Sequence, residues 1–475
     1  MLEAFTAFVV DHPFITVAIV VALIFDFVNG FHDSANAIAT VIATKVLTPG
    51  QALLMAGIFN FLGPFLFGTA VAGAVGAGII DLSVFATAAL PSVIFAALVG
   101  AIIWNLVTWY VGLPSSSSHA LVGGLVGAGL AAVGPRGLIL PTWAEAEGVA
   151  KFAAIGGLVG IAGGLAALWI SRVGIPRRAF VPMTIVGGLA LGVFFLRADP
   201  LPVLALAPIM KWSFAFVIAL LVGAFGGAIL WTITQRRMGA DLLPVVAGFG
   251  IVVSIAIGVL TKALVLHKLT ATLLFMVLSP LLGFLAGFLL MAVVAWLSSA
   301  MEPGRASVRF KRLQLASAAF YSLTHGTNDA QKTMGIIAVL LLAAGAATGG
   351  ITATSLHVPT WVIFASALAM GIGTLFGGQR IIHTMATKIT HLTPAQGFAA
   401  SAAGGVVLAG MAEAGIPVST THAISGSIMG VGATRGVSAV RWGIGRRIVG
   451  AWVLTIPASA LVAYVTYVAA RLLGA

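Results

Sequence analysis

Gly112-Leu113-Pro114-Ser115-Ser116-Ser117-Ser118-His119 recurs, residue type for residue type at its key positions, as Gly415-Ile416-Pro417-Val418-Ser419-Thr420-Thr421-His422. Both copies interrupt apolar sequence with a proline and a run of hydroxyls. The likeness continues outward: Ala120, Gly123, Gly127 and Gly129 meet Ala423, Gly426, Gly430 and Gly432 at the same spacing of 303 residues. Pro and Ser/Thr belong at helix starts, so each copy reads as the first turn of a broken or re-entrant helix. Free N–H groups and the positive end of the helix dipole suit an oxyanion there. A single copy would be read as ordinary capping. Two copies name Ser115, Ser116, Ser117, Ser118, Ser419, Thr420 and Thr421 as candidate oxyanion donors.

Upstream of each copy lies a second matched pair. Asn29-Gly30-Phe31-His32-Asp33-Ser34-Ala35-Asn36 aligns with His325-Gly326-Thr327-Asn328-Asp329-Ala330-Gln331-Lys332 at an offset of 296. Both pairs keep the same order at nearly the same offset, so duplication of one ancestral segment is the simplest account. The surroundings are apolar: of 475 residues, 60% are hydrophobic and 8% charged, against roughly 25% charged in soluble chains. No soluble fold hides that surplus. The chain reads as an all-α polytopic membrane protein with about ten to twelve spanning helices, each needing about 20 apolar residues. With no cysteine, disulfides, thiolate metal sites and cysteine nucleophiles are excluded.

A net charge of +12 could suggest nucleic acid, but the distribution argues against it. Lys and Arg cluster between apolar runs, at 171–178, 235–241, 301–312 and 435–447. That is the positive-inside pattern of cytoplasmic loops. The 135–151 loop, with Glu145 and Glu147, then lies outside, and both termini are expected outside. No Lys or Arg precedes Lys45, so the first apolar run lacks a signal peptide's basic start and is expected to be retained. The first Gly-x-Pro-x-Ser-x-x-His copy leads to the outside loop and the second to a basic one, which makes the repeats inverted. Inverted-topology repeats point to a secondary transporter with its site near midplane, at the repeat interface. The expected organisation is a first repeat over 12–134, central scaffold helices over 150–300, a second repeat over 313–447 and a C-terminal helix over 448–475.

Carboxylates inside apolar runs are costly and read as functional by default. Asp33 and Asp329 are repeat mates with amide neighbours Asn29 and Asn36, and Asn328 and Gln331. Carboxylate and amide oxygens suit a hard cation such as Na⁺; a buried carboxylate can equally carry a proton. Asp26 and Glu413 have no mate, and each reads either as a proton-relay group or as an ordinary paired charge. His119 and His422 read either as packing partners or as a ligand or proton relay. A Ser/His/Asp hydrolase is set aside because no Gly-x-Ser-x-Gly elbow occurs. No catalysis, cofactor or structural metal is expected. An anion and two carboxylates coexist only if cations or protons offset their repulsion, and that mutual dependence is the basis of symport.

At this point NGFHDSANAIATVIATKVLTPGQAL (29–53) and HGTNDAQKTMGIIAVLL (325–341) resemble the two signature segments of the inorganic phosphate transporter (PiT) family. The order of the segments and the Gly-x-Pro-x-Ser-x-x-His blocks match as well, so the likeness covers nearly the whole chain. The resemblance implies a phosphate symporter driven by Na⁺ or H⁺ in a bacterial inner membrane, like the low-affinity permeases, some of which take phosphate as a metal–phosphate complex. It also implies that Asn29, Asp33, Asn36, Asn328 and Asp329 take the motif roles; Asn36 and Gln331 are expected near the anion. Two positions depart from the family's commoner pattern: His32 stands where Asn is usual, and Gln331-Lys332 where Ala-Asn is frequent. Lys332 aligns with Asn36 and is expected to replace one bound cation and tilt coupling toward H⁺. A sulfate permease of the same fold is the nearest rival; an anion channel or phosphate-sensing receptor is the rival of another class. A homodimer in membrane lipid is expected, with the basic 301–312 loop a candidate dock for a soluble cytoplasmic regulator.

Overall fold

Proline marks where helices begin. It stands in the first turn of the helices Pro13–Ala43, Leu90–Val111, Pro303–Ala343 and Pro394–Glu413, where its missing N–H would have had no partner. The computed structural model describes residues 2–66, 69–85, 89–173, 243–260, 264–299, 301–345 and 358–473. These residues form fifteen α-helices. The first seven are α1 (Leu2–Asp11), α2 (Pro13–Ala43), α3 (Pro49–Leu66), α4 (Ala70–Ala77), α5 (Leu90–Val111), α6 (Ser117–Val133) and α7 (Trp143–Val173). The rest are α8 (Leu243–Leu260), α9 (Lys268–Ser298), α10 (Pro303–Ala343), α11 (Thr360–Phe376), α12 (Gln379–His383), α13 (Pro394–Glu413), α14 (Thr420–Ala433) and α15 (Trp442–Leu472). No strand occurs among the described residues, only an isolated bridge between Ile80 and Leu138.

Among the described residues, seven helices are long and apolar enough to span a membrane, and a bent pair, Thr360–Phe376 with Gln379–Lys388 at 63°, makes an eighth candidate. The apolar runs near 179–196 and 213–234, and the basic residues Arg177, Arg178, Arg236 and Arg237, lie outside the described residues. The polar motif at 29–36 does not interrupt its apolar surroundings: it lies within one 31-residue helix, α2, buried against other helices rather than exposed as a loop. The 301–312 stretch is not a loop either: from Pro303 it is the start of α10, a 41-residue helix. At about 1.5 Å per residue α10 is roughly 60 Å long, twice a bilayer core. Its exposed start, with Arg305, Arg309, Lys311 and Arg312, therefore projects beyond the apolar layer.

The duplicated block is now legible letter by letter. Gly112 ends α5 in the left-handed region (φ 72°), and Gly415 follows α13 in the same conformation (φ 62°), which glycine adopts without steric cost. Pro114 and Pro417 come two residues later and cannot continue a helix. Ser116 and Ser419 then cap α6 and α14, accepting from the backbone N–H of His119 and His422 at 3.2 Å each. In each half one helix thus ends and the next begins at matched points.

Glycine also sets how the helices cross. A Cβ on Gly30 would lie 2.2 Å from the Met370 carbonyl of α11, and one on Gly326 would lie 2.2 Å from the Asn60 carbonyl of α3. So α2 packs on α11, and its counterpart α10 packs on α3. The broken helices behave alike: α6 lays Gly123 and Gly127 against the backbone of α15, and α14 lays Gly426 and Gly430 against that of α9. These are the small-xxx-small contacts that let membrane helices approach closely. In the central block, α7 and α8 pack on one another.

Candidate functional site

The motif helices α2 and α10 and the first turns of α6 and α14 converge on one buried polar centre. Ser117 donates to Asp33 Oδ2 at 2.9 Å, and its counterpart Thr420 donates to Asp329 Oδ2 at 3.2 Å. Asn36 donates to Thr421 Oγ1 at 2.9 Å and reaches Thr420 Oγ1 at 3.4 Å. Lys332, which aligns with Asn36, donates to the hydroxyl of Ser118, the residue that aligns with Thr421. The carboxylate–hydroxyl bond and the link across the halves are therefore each made twice, by matching residues. All these side chains are buried, so their charges and dipoles act in a low-dielectric setting where electrostatics is strong.

The departures from symmetry fall at the unusual residues. His32 Nδ1 lies 2.6 Å from Asp33 Oδ1, and its Nε2 lies 3.0 Å from Thr108 Oγ1. Ser115 donates to Thr108 at 2.8 Å and is 3.4 Å from the same imidazole nitrogen. His32 thus orients the first carboxylate through a chain running to α5. In the second half the ammonium of Lys332 meets Asp329 Oδ1 directly and approaches the Val418 carbonyl at 3.4 Å. The second motif carries its own counter-charge.

Several expected residues have other duties. Asn328 donates to the carbonyls of Thr324 and Leu408 at 3.0 and 3.1 Å, tying α10 to α13 rather than turning to Asp329. Gln331 accepts from the Val71 backbone at 2.7 Å and so anchors α4. Asn29, expected beside Asp33, faces Asp26, while the side-chain partners of Asp33 are His32 and Ser117. His119 and His422 meet edge to face with ring centroids 4.7 Å apart, and His422 stacks on Trp452 at 3.8 Å. Glu413 is exposed at the end of α13, away from the centre, because it sits on the last turn before the break.

Two residues were missed from sequence. His325 is wholly buried, with Nδ1 at 3.1 Å from Asn60 Oδ1 and Nε2 at 3.3 Å from Asp329 Oδ2. Ligand atoms of Asp33, His325 and Asp329 lie within 4.8 Å of one another, so the two motif carboxylates meet across the halves. The i,i+4 spacing of His325 and Asp329 was the available signal. Tyr321 stacks on His325 and donates to the Thr420 carbonyl at 3.1 Å, bracing the first turn of α14. The donor set suits both kinds of ligand. Hydroxyls at two helix N-termini and one ammonium favour a tetrahedral oxyanion, and the paired carboxylates favour a cation.

Fold and site together define a polytopic α-helical membrane protein with two matching halves around one buried polar centre. The chain belongs to the phosphate transporter family: the family described in those words matches residues 29–212 and 207–463. A relative from Rhizobium meliloti (strain 1021), named "probable low-affinity inorganic phosphate transporter", is 38% identical over 462 residues, covering 97% of this chain and 98% of the relative. One of the same name from Bacillus subtilis (strain 168) is 32% identical over 454 residues, covering 95% and 96%. Among solved structures, "the sodium-dependent phosphate transporter" has the same fold, with TM-score 0.59 and 22% identity over 97% of this chain and 99% of that one.

Proposed function

We propose that this chain is a secondary active symporter that carries inorganic phosphate across a bacterial inner membrane together with Na⁺ or H⁺. The observation that carries the reading is the matched pair of carboxylate–hydroxyl bonds, Asp33 with Ser117 and Asp329 with Thr420. Anion donors and cation-binding acids share one centre, with one such carboxylate–hydroxyl pair from each half. Phosphate enters between the first turns of α6 and α14, and its charge is offset by Lys332 and by the coupling ion. In this reading the two halves have opposite orientations, so rocking of one half about the other opens the centre to alternate sides.

Phosphate carries a hydrogen-bond donor at neutral pH and sulfate does not, so a carboxylate acceptor at the anion selects for phosphate. Asp33 and Asp329 are the acceptors for that role. Lys332 takes the place of one coupling cation, so the cycle needs one fewer than a fully duplicated motif would bind. The homodimer, the outside location of both termini and the docking of a regulator on the basic start of α10 belong to the same reading.

The test is uptake of labelled phosphate into liposomes holding the purified protein, under separately imposed Na⁺ and proton gradients, with excess unlabelled sulfate. Saturable, gradient-driven accumulation indifferent to sulfate is expected, and the gradient that drives it identifies the ion. Adding or chelating Mg²⁺ tells free phosphate from a metal complex. Strong competition by sulfate would transfer the reading to a sulfate permease. Non-saturating flux that only dissipates a gradient would make the protein a channel.

A further inference from the structure

We propose that Thr40, Thr44, Gln314 and Ser401 line the route by which phosphate passes between the buried centre and the basic end of the molecule, with Gln314 as a second phosphate contact on the way. The inference rests on the symport reading and gives its substrate a path. Along α2, Asn36, Thr40 and Thr44 follow one another at i, i+4 and i+8, so they share a face that leads about 12 Å away from the centre. On α10 the same direction leads from Asp329 through His325 and Tyr321 to Gln314, again on one face.

The two faces meet α13 and each other in two rungs. Thr40 Oγ1 and Ser401 Oγ of α13 are 2.7 Å apart, and Thr44 donates to Gln314 Oε1 at 3.0 Å. Thr40, Gln314 and Ser401 are buried, and Thr44 is half-buried at the end of the row. α13 offers only small residues here: a Cβ on Gly397 would lie 2.0 Å from Gln314 Nε2, and one on Gly404 would lie 3.0 Å from the Tyr321 ring. Gln314 Nε2 has no hydrogen-bond partner, although buried polar groups almost always have one. An amide nitrogen only donates, so a free one beside hydroxyls suits a passing oxyanion.

The matching positions of the other half are apolar. At the repeat offsets of 296 and 303 residues, Thr40 and Thr44 correspond to Ile336 and Leu340, Gln314 and Tyr321 to Ala18 and Phe25, and Ser401 and Gly397 to Leu98 and Ile94. All six counterparts are buried. Packing therefore does not require polar side chains at these places, since the sister positions do without them. Opening the polar end exchanges two hydrogen bonds for bonds to water or phosphate, a small net cost. Opening the other end would expose a packed apolar layer. The polar row ends close to Arg309, Lys311 and Arg312, exposed on α10 just before Gln314, where positive charge draws an anion.

The chain has no cysteine, so single cysteines report without background. Two matched pairs, Ser401→Cys with Leu98→Cys and Thr40→Cys with Ile336→Cys, are made in the full-length protein and treated with a small water-soluble methanethiosulfonate, with and without inorganic phosphate. The modified fraction is read by mass spectrometry. The hydroxyl-position variants are expected to react about tenfold faster than their apolar counterparts, because the polar end opens at lower cost, and phosphate should slow them. Whichever matched pair folds decides. Equal reactivity within the pair, or reaction indifferent to phosphate, overturns the proposal. Gln314→Leu should lower the maximal uptake rate in liposomes more than it raises the half-saturating phosphate concentration, and uptake like wild type would remove Gln314 from the route. The labelling needs no gradient, so wild-type liposomes that accumulate no phosphate would end the symport reading while the cysteines still decided the route.

Discussion

Lys332 of α10 donates to Ser118 in the first turn of α6, joining the motif helix of one half to the broken helix of the other. The reverse link is Asn36 of α2 to Thr421 of α14 at 2.9 Å. The two halves are therefore clasped at the same point from both sides, once by an amide and once by an ammonium. The amide is neutral and leaves room for a cation near Asp33; the ammonium brings its own charge to Asp329.

Lys332→Asn makes the clasp symmetric and removes the fixed charge. Phosphate uptake by this variant is expected to depend on Na⁺ and pH differently from wild type, with an added cation requirement. Unchanged ion dependence in liposomes would show that Lys332 does not stand in for a cation. Lys332→Met leaves Asp329 without its ammonium, and breaking a buried pair costs about 3–5 kcal/mol, so a lowered unfolding midpoint should accompany it.

Ser117→Ala and Thr420→Val each remove the hydroxyl that donates to a motif carboxylate. A hydrogen bond to a charged group is worth about 1.5–3 kcal/mol, so each variant should raise the half-saturating phosphate concentration by roughly tenfold or more. The two effects should be similar, because the residues hold matched positions. A loss confined to one of them would break the equivalence of the halves.

Gly430→Ala is expected to destabilise strongly. A Cβ there would sit 1.9 Å from the Phe284 carbonyl of α9, a backbone atom that cannot step aside. Overpacking costs about 1–3 kcal/mol, and a lower unfolding midpoint and poorer yield should follow. Gly450→Ala, with nothing within 4 Å of the added carbon, serves as the control and should be neutral.

Glu145 supplies a pH prediction outside the apolar layer. It sits in the first turn of α7, ahead of the apolar run, and accepts from the backbone N–H groups of Thr142 and His267 at 2.8 and 2.5 Å. Burial by itself pushes its carboxyl up, but these bonds, with those from the Thr142 and His267 side chains, outweigh it and hold the group at about 2. The folded value is below the unfolded one, so the stabilisation is fully present above about pH 4.5 and fades as pH falls toward 2. Unfolding midpoints across that window should drop in wild type and drop less in Glu145→Gln. Parallel curves would exclude Glu145 as the group responsible.

The Gly-x-Pro-x-Ser-x-x-His blocks were readable because each letter acts locally. Gly112 and Gly415 permit a left-handed turn, the prolines stop the helix, and Ser116 and Ser419 start the next one. Asp33 and Asp329 were readable because an acid in an apolar run has few structural excuses. His325 was not, since its meaning depends on Asn60, 265 residues away. Asn328 and Gln331 carried the right chemistry for a cation cage, yet their bonds go to the Leu408 and Val71 backbones. Nor could the pattern show that α10 continues through the basic stretch, because a helix projecting into water has no apolar signature to mark it.

The sequence by itself determined the solvent of this protein, the duplication, the points where helices break and the chemistry available at the centre. Those properties follow from apolar content, residue order and backbone geometry, all of which act within a few residues. Tertiary structure decided which donor meets which acceptor: Ser117 at Asp33, Asn36 at Thr421, and Lys332 at both Asp329 and Ser118. Such pairings depend on the angle and depth at which helices cross. Glycines such as Gly30, Gly326, Gly127 and Gly430 set those crossings by allowing backbone to touch backbone, and that contact exists only once distant helices have packed.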